Sequence, residues 1–259
     1  MANAECRKHA TFGMLHSALR RAGDAVLSVI LAPACAACGA LLDHPSGGPV
    51  CGCCWQSILP LTPPICDACG DPLPTWRHVS IPLARCPRCR RTRRQVDRAR
   101  AIGEYAGALK AIVHALKYEA RRSLARPLAA LMQQRGADLV AAAECAVPVP
   151  LHPARRRERG FNQAADLARH LGLPVHDALC RVRATATQTG LPAAQRHRNV
   201  RDAFAVTRSA RDLIGRTVLI VDDVSTTGAT LEACARVLKQ LGVREVLALT
   251  AARVVTPPQ

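Results

Sequence analysis

Thirteen consecutive residues, Val218–Thr230 (VLIVDDVSTTGAT), constrain this chain more than any other feature. Val218–Val221 is an unbroken apolar run, as expected of a strand buried on both faces of a parallel sheet. Asp222 and Asp223 follow at its carboxyl end, where open α/β sheets bind ligands. Ser225, Thr226, Thr227, Gly228, Ala229 and Thr230 are small, mostly hydroxylated and contain one glycine. From Leu231 the apolar residues Leu231, Cys234, Ala235 and Leu238 share one helical face. The loop therefore opens a helix, where unpaired backbone N–H groups and the helix dipole favour an anion. Two carboxylates beside a phosphate cradle would repel the phosphate itself. They suit ribose hydroxyls, a Mg²⁺ ion or a developing positive charge.

The flanking pattern fits that strand. Helical spacing predicts helices over Tyr105–Tyr118, Leu124–Leu139, Asn162–Leu171 and Thr230–Leu241. Short apolar runs predict strands over Cys145–Pro150 and Glu245–Val254. A strand, a helix and a strand in that order imply a parallel crossover. Residues 96–255 thus read as one α/β domain. Aromatics make up only 3% of the chain, so its core must be built of Ala, Val, Leu and Ile.

Upstream, Val147–Gln163 reads VPVPLHPARRRERGFNQ. Arg155, Arg156, Arg157 and Arg159 follow a strand end, in a loop suited to bidentate phosphate binding. A solvated basic helix is the competing reading for any single arginine.

Cysteine makes up the second signature. Of 13 Cys, eight form four CxxC pairs: Cys35/Cys38, Cys51/Cys54, Cys66/Cys69 and Cys86/Cys89. Two such pairs complete a tetrahedral Cys₄ site, so four pairs predict two zinc sites. Use of first with second pair and third with fourth is the simplest pairing; a crossed pairing stays open, and an iron–sulfur cluster is the rival. Residues 33–92 are proline-rich and poor in periodic segments, as in a small module stapled by metal. Residues 1–32 are expected to form an amphipathic helix docked on the body.

The formal charge is +17, which favours phosphorylated or polyanionic partners. Between Arg77 and Arg126 there are 14 Lys/Arg against three Asp/Glu. Zinc ribbons beside such a surface point to nucleic acid, bound with strong salt dependence. Base-stacking residues are scarce (Trp55, Trp76, Tyr105, Tyr118, Phe161 and Phe204), which argues against a dedicated stacking groove. No convincing signal peptide and no apolar run of 18 residues is found, so a cytoplasmic location without a membrane span is expected.

The Val218–Thr230 string resembles the phosphoribosyl-pyrophosphate (PRPP) signature of type I phosphoribosyltransferases, with Ser225 where an apolar residue is usual. The order of motifs goes further. The cysteine pairs are followed by ALKYEAR (Ala115–Arg121), PVPLHP…RGFNQA (Pro148–Ala164), Gln188–Leu191 with Arg198–Phe204, and VDDVSTTGAT. Together these are similar to the ComF family of competence proteins, which includes GntX-like members.

The resemblance implies a type I phosphoribosyltransferase-like fold behind a double zinc ribbon. It implies that Asp222 and Asp223 contact ribose, that the loop wraps the 5′-phosphate, and that Lys117, Arg159, Gly160, Asn162 and Gln163 line the PRPP cleft. Gln188–Phe204 becomes a mobile region over that cleft, and Mg²⁺ accompanies PRPP. A role handling single-stranded DNA in natural transformation is implied, in company with other DNA-uptake proteins. Two functions remain in view: binding PRPP or a nucleotide 5′-phosphate, and transfer of phosphoribose to an unidentified base. The sequence shows no acceptor pocket.

Overall fold

The computed structural model describes residues 33–73, 84–183 and 202–255. The expected N-terminal helix and most of the Gln188–Phe204 region lie outside the described residues. The chain divides into two compact units, Met1–Ser57 and Ile58–Gln259.

In the first unit, short helix α1 (Gly52–Gln56) starts directly after Cys51. The second unit opens with a metal knuckle. Its Cys66–Gly70 turn and helix α2 (Pro87–Arg91) enclose a small core of Cys66, Ala68, Cys69, Leu73, Cys86 and Cys89.

The rest of that unit is α/β. Strand β1 (Arg98–Ala101) leads to helix α3 (Gly107–Tyr118), then α4 (Ala125–Arg135) and α5 (Ala137–Ala142). Strand β2 (Cys145–Pro148) precedes α6 (Pro153–Arg159) and α7 (Gln163–Ala168). An antiparallel arm of β3 (Leu179–Arg181) and β4 (Phe204–Val206) comes next. Strand β5 (Thr217–Ser225), helix α8 (Ala229–Leu241) and strand β6 (Glu245–Arg253) complete the unit.

The main sheet has the order β1-β6-β5-β2, and every neighbouring pair is parallel. Cys145 to Pro148 run in register with Val218 to Val221. β5 and β6 are buried almost throughout, as their apolar runs require. The core is made of small aliphatics; Val147, Ile220, Leu238, Val246 and Ala248 are fully buried. The expected parallel α/β core is therefore present.

Several elements differ from the sequence reading. β5 does not stop at Val221 but carries the acid pair inside it, because β6 continues alongside and pairs Asp222 with Thr250 and Ser225 with Arg253. The long helix expected over Leu124–Leu139 is broken at Gly136, whose amide still bonds back to the Met132 carbonyl. The arginine segment is helical: Pro153 at the first turn presets the backbone angle, and the His152 Nδ1 caps Ala154 N at 3.3 Å.

Candidate functional site

The carboxyl ends of β5 and β2 open into a cavity of about 560 Å³. β5 supplies its floor. Asp222 Oδ1 accepts the Asp223 amide at 2.9 Å, and Lys117, from the last turn of α3, holds Asp223 Oδ1 at 2.9 Å. Burial and the neighbouring Asp223 carboxylate push the Asp222 acid up to about 8, although Lys117 and Arg181 draw it down. Burial alone would depress the Lys117 ammonium. The charge of Asp223, its hydrogen bond and Asp222 outweigh that and raise it instead. The result is two carboxyls and one ammonium in a half-enclosed site, a tuned arrangement of the kind found at ligand sites.

The Ser225–Thr230 loop follows at once. Gly228 has φ +77°, the left-handed region that glycine adopts without a Cβ penalty, and caps α8. Thr227 Oγ1 accepts the Ala229 amide at 3.3 Å, so its side chain is used inside the loop. Thr226, Gly228, Ala229 and Thr230 line the cavity at the N-terminus of a 13-residue helix. Arg94 holds Glu232 at 2.6 Å and so pins the first turn of that helix.

Cations face the loop. Winding the arginine segment into α6 puts Arg155 and Arg159, four residues apart, on the cavity wall, while Arg156 and Arg157 point to solvent. Arg181, from the short arm strand β3, joins them. Sequence reasoning did not single out Arg181, because a three-residue strand gives no periodic signal.

The other cleft residues carried by the resemblance separate into different roles. Lys117, Arg159, Asn162 and Gln163 line the cavity; Gly160 does not. Gly160 instead ends α6 at φ +75°. Asn162 caps α7 through Ala164 N at 3.1 Å and donates to the Val149 carbonyl at 3.0 Å, so it fixes the wall. Phe161 is buried beneath the Arg122 guanidinium, 5.4 Å from its ring centre. Gln163 is 1% exposed, yet its amide nitrogen has no hydrogen-bond partner among the described residues. A buried donor left unpaired is costly unless a ligand meets it.

The metal centres are resolved by geometry. Cys35, Cys38, Cys51 and Cys54 bring their sulfurs within 4.8 Å of one another, and Cys66, Cys69, Cys86 and Cys89 do the same. The pairing is thus first with second and third with fourth. Backbone amides of Cys51 and Cys86 donate to the sulfurs of Cys35 and Cys66 at 3.3 Å each, a setting that favours thiolates. Cys53 belongs to neither group. Both donor sets fit tetrahedral zinc.

The second knuckle is wired to the Ser225–Thr230 loop. Arg88 lies between Cys86 and Cys89. It donates to the Thr227 carbonyl at 3.2 Å and to Asp71 Oδ2 at 3.1 Å. Asp71 also pairs with Arg253, which is 3% exposed and reaches Ser225 Oγ at 3.4 Å. No sequence spacing reveals this chain, since Asp71 and Arg253 are 182 positions apart.

Comparison with known proteins agrees with this architecture. A phosphoribosyl transferase domain matches residues 157–255, and a double zinc ribbon domain matches residues 26–90. Competence protein F of Haemophilus influenzae is 31% identical over 213 residues, covering 78% of this chain and 90% of that protein. The chain belongs to the ComF family. DNA utilization protein YhgH of Escherichia coli K12 is 34% identical over 192 residues, covering 70% of this chain and 81% of that protein. Competence protein ComFC of Bacillus subtilis is 35% identical over 96 residues, covering 37% and 38% respectively. This ComF protein therefore combines a phosphoribosyltransferase-type domain with two Cys₄ sites that fit a double zinc ribbon. No helix among its described residues is long and apolar enough to cross a membrane.

Proposed function

We propose that the cleft of this ComF protein binds PRPP or a nucleotide 5′-phosphate and that the protein handles single-stranded DNA during DNA uptake. One observation carries the binding reading: an acid pair inside the carboxyl-terminal half of β5 is followed by a loop capped by Gly228, with Lys117, Arg155, Arg159 and Arg181 around the same cavity.

Each part has a chemical task. The loop Ser225–Thr230 takes the 5′-phosphate through backbone N–H groups and hydroxyls at the start of α8. Asp222 and Asp223 accept hydrogen bonds from ribose hydroxyls. Arg155, Arg159 and Arg181 offset the charge of a pyrophosphate, and Gln163 gives its unpaired amide proton to a ligand oxygen. Carboxylate oxygens are the donors a hard Mg²⁺ ion prefers, and Asp222 and Asp223 would hold one accompanying PRPP.

A second reading, transfer of phosphoribose to a base, draws on the same acid pair. Carboxylates facing the anomeric carbon would stabilise positive charge there as pyrophosphate leaves, and the arginines would hold the leaving group.

The DNA reading rests on family membership and on charge. Arg85, Arg90, Arg91 and Arg93 are exposed on and beside the second knuckle. Phosphate contacts from such a surface weaken steeply with salt.

Calorimetric titration tests both. PRPP with Mg²⁺ is expected to bind wild type and to lose most of its affinity for Asp222→Ala/Asp223→Ala. Absence of any binding to wild type refutes the cleft reading. Single-stranded DNA is expected to bind more weakly as salt rises, and a salt-independent affinity refutes the basic-surface reading.

A further inference from the structure

The chain has only two tyrosines, Tyr105 and Tyr118, and the fold brings both to the wall of one cavity. In a chain this poor in aromatics that is a concentrated investment. Tyr118 ends α3. The apolar residues of that helix, Leu109, Ile112, Val113 and Leu116, are completely buried, whereas Tyr118 is 60% exposed. It therefore does not serve the core.

Its ring is nonetheless held. The His114 ring, one helical turn earlier, lies 4.8 Å away centre to centre, tilted by 42°. The Arg159 guanidinium sits 5.0 Å over the Tyr118 ring from α6. His114 is itself 3.8 Å from Glu119 Oε1. Tyr118 is also the immediate neighbour of Lys117, whose ammonium is bonded to the acid pair. The aromatic surface is thus tied, one residue away, to the group that marks the ribose position.

We propose that Tyr118, supported by His114 and Arg159, is the stacking surface for the nucleobase of a bound nucleotide. The inference rests on the phosphate-loop reading above and extends it from ribose phosphate to a base-bearing ligand. Aromatic faces and guanidinium planes are the two protein surfaces on which unpaired bases stack. A cavity of about 560 Å³ is of the size that holds a small ligand of this class. One ring accommodates one base, so the site suits a single nucleotide or the 5′-terminal nucleotide of a strand, not a long groove.

The test compares 5′-AMP with ribose 5-phosphate, titrated calorimetrically into the zinc-loaded full chain. One base stacked on an aromatic side chain is worth roughly 5- to 150-fold in affinity, so 5′-AMP is expected to bind tighter by that factor. Tyr118→Ala is expected to abolish the preference while ribose 5-phosphate affinity stays within about twofold. Tyr118→Phe is expected to retain the preference. Tyr118→Trp supplies an optical readout, its fluorescence quenched by 5′-AMP and not by ribose 5-phosphate. Displacement of 5′-AMP by a 5′-phosphorylated oligonucleotide, and not by its 5′-hydroxyl form, identifies a strand end as a source of the base; displacement by neither limits the site to free nucleotides. No preference in wild type, or equal losses for both ligands in Tyr118→Ala, overturns the proposal while leaving the phosphate loop intact. Failure of wild type to bind either ligand overturns the phosphate-loop reading, and this proposal with it.

Discussion

Replacing Lys117 by methionine tests the electrostatic logic of the site. The side chain is 17% exposed and holds Asp223 at 2.9 Å, and Asp223 is itself 11% exposed. Methionine keeps most of the stem volume and removes the charge. With an effective dielectric near 20 and charge centres about 4 Å apart, the lost attraction is about 4 kcal/mol. Breaking a buried pair by removing one partner costs about 3–5 kcal/mol. Asp222 adds a pH dependence. Burial and Asp223 push its acid up to about 8 while Lys117 draws it down, so removing Lys117 raises it further. A carboxyl whose folded-state pKa lies above its unfolded value costs stability as pH rises from the lower value to the higher. Below about pH 8 Asp222 keeps its proton in both proteins, so the deficit of Lys117→Met there reports the lost contact with Asp223. Above about pH 8 wild type stops losing stability through Asp222 while the variant goes on, so the deficit grows by up to about 1.4 kcal/mol per pH unit. Near pH 7 it is expected to be about 3 kcal/mol, a fall in Tm of roughly 6–12 °C for a unit of this size, and near pH 9 it is expected to be larger by about 1 kcal/mol. Thermal unfolding of both proteins, zinc-loaded, at the two pH values decides the matter. Equal deficits at both would show that Lys117 does not act on Asp222, and no deficit near pH 7 would show that its contact with Asp223 contributes nothing to stability.

Three further outcomes are expected. Gly228→Ala places a Cβ 3.3 Å from Arg94 Nη2 at φ +77°; a left-handed alanine costs about 1–2 kcal/mol, so ribose 5-phosphate affinity should drop about tenfold, and an unchanged affinity would mean the loop does not need this conformation. Arg88→Ala removes the tie to the Thr227 carbonyl; for a side chain 39% exposed the loss is about 1 kcal/mol, roughly fivefold in phosphate affinity with zinc content intact, and parallel loss of zinc would assign Arg88 to the metal site instead. Elemental analysis should find about two zinc per chain, falling to about one in Cys66→Ser; iron in place of zinc would overturn the ribbon reading.

What the sequence determined lies mostly in contiguous segments. The strand, loop and helix start that bound the cavity are one uninterrupted string, because a strand end, a tight turn and a helix start are neighbours along the chain. The cysteine pairs were equally legible, since two thiols in a CxxC turn reach one ion by local geometry alone. The apolar runs of β5 and β6 announced a parallel sheet for the same reason: burial on both faces is written in every residue of the strand. Tertiary structure decided what depends on distant partners. β5 extends through Asp222 and Asp223 only because β6 lies beside it. Four CxxC units allow more than one pairing, and packing selects the sequential one. Arg155 and Arg159 become cleft residues, and Arg156 and Arg157 do not, through the pitch of one short helix. Tyr118 and Arg159 are 41 positions apart, and Arg88 and Thr227 are 139 apart. Neither pair leaves a trace in local composition, because a hydrogen bond or a ring contact needs only that the folded chain bring its two ends together.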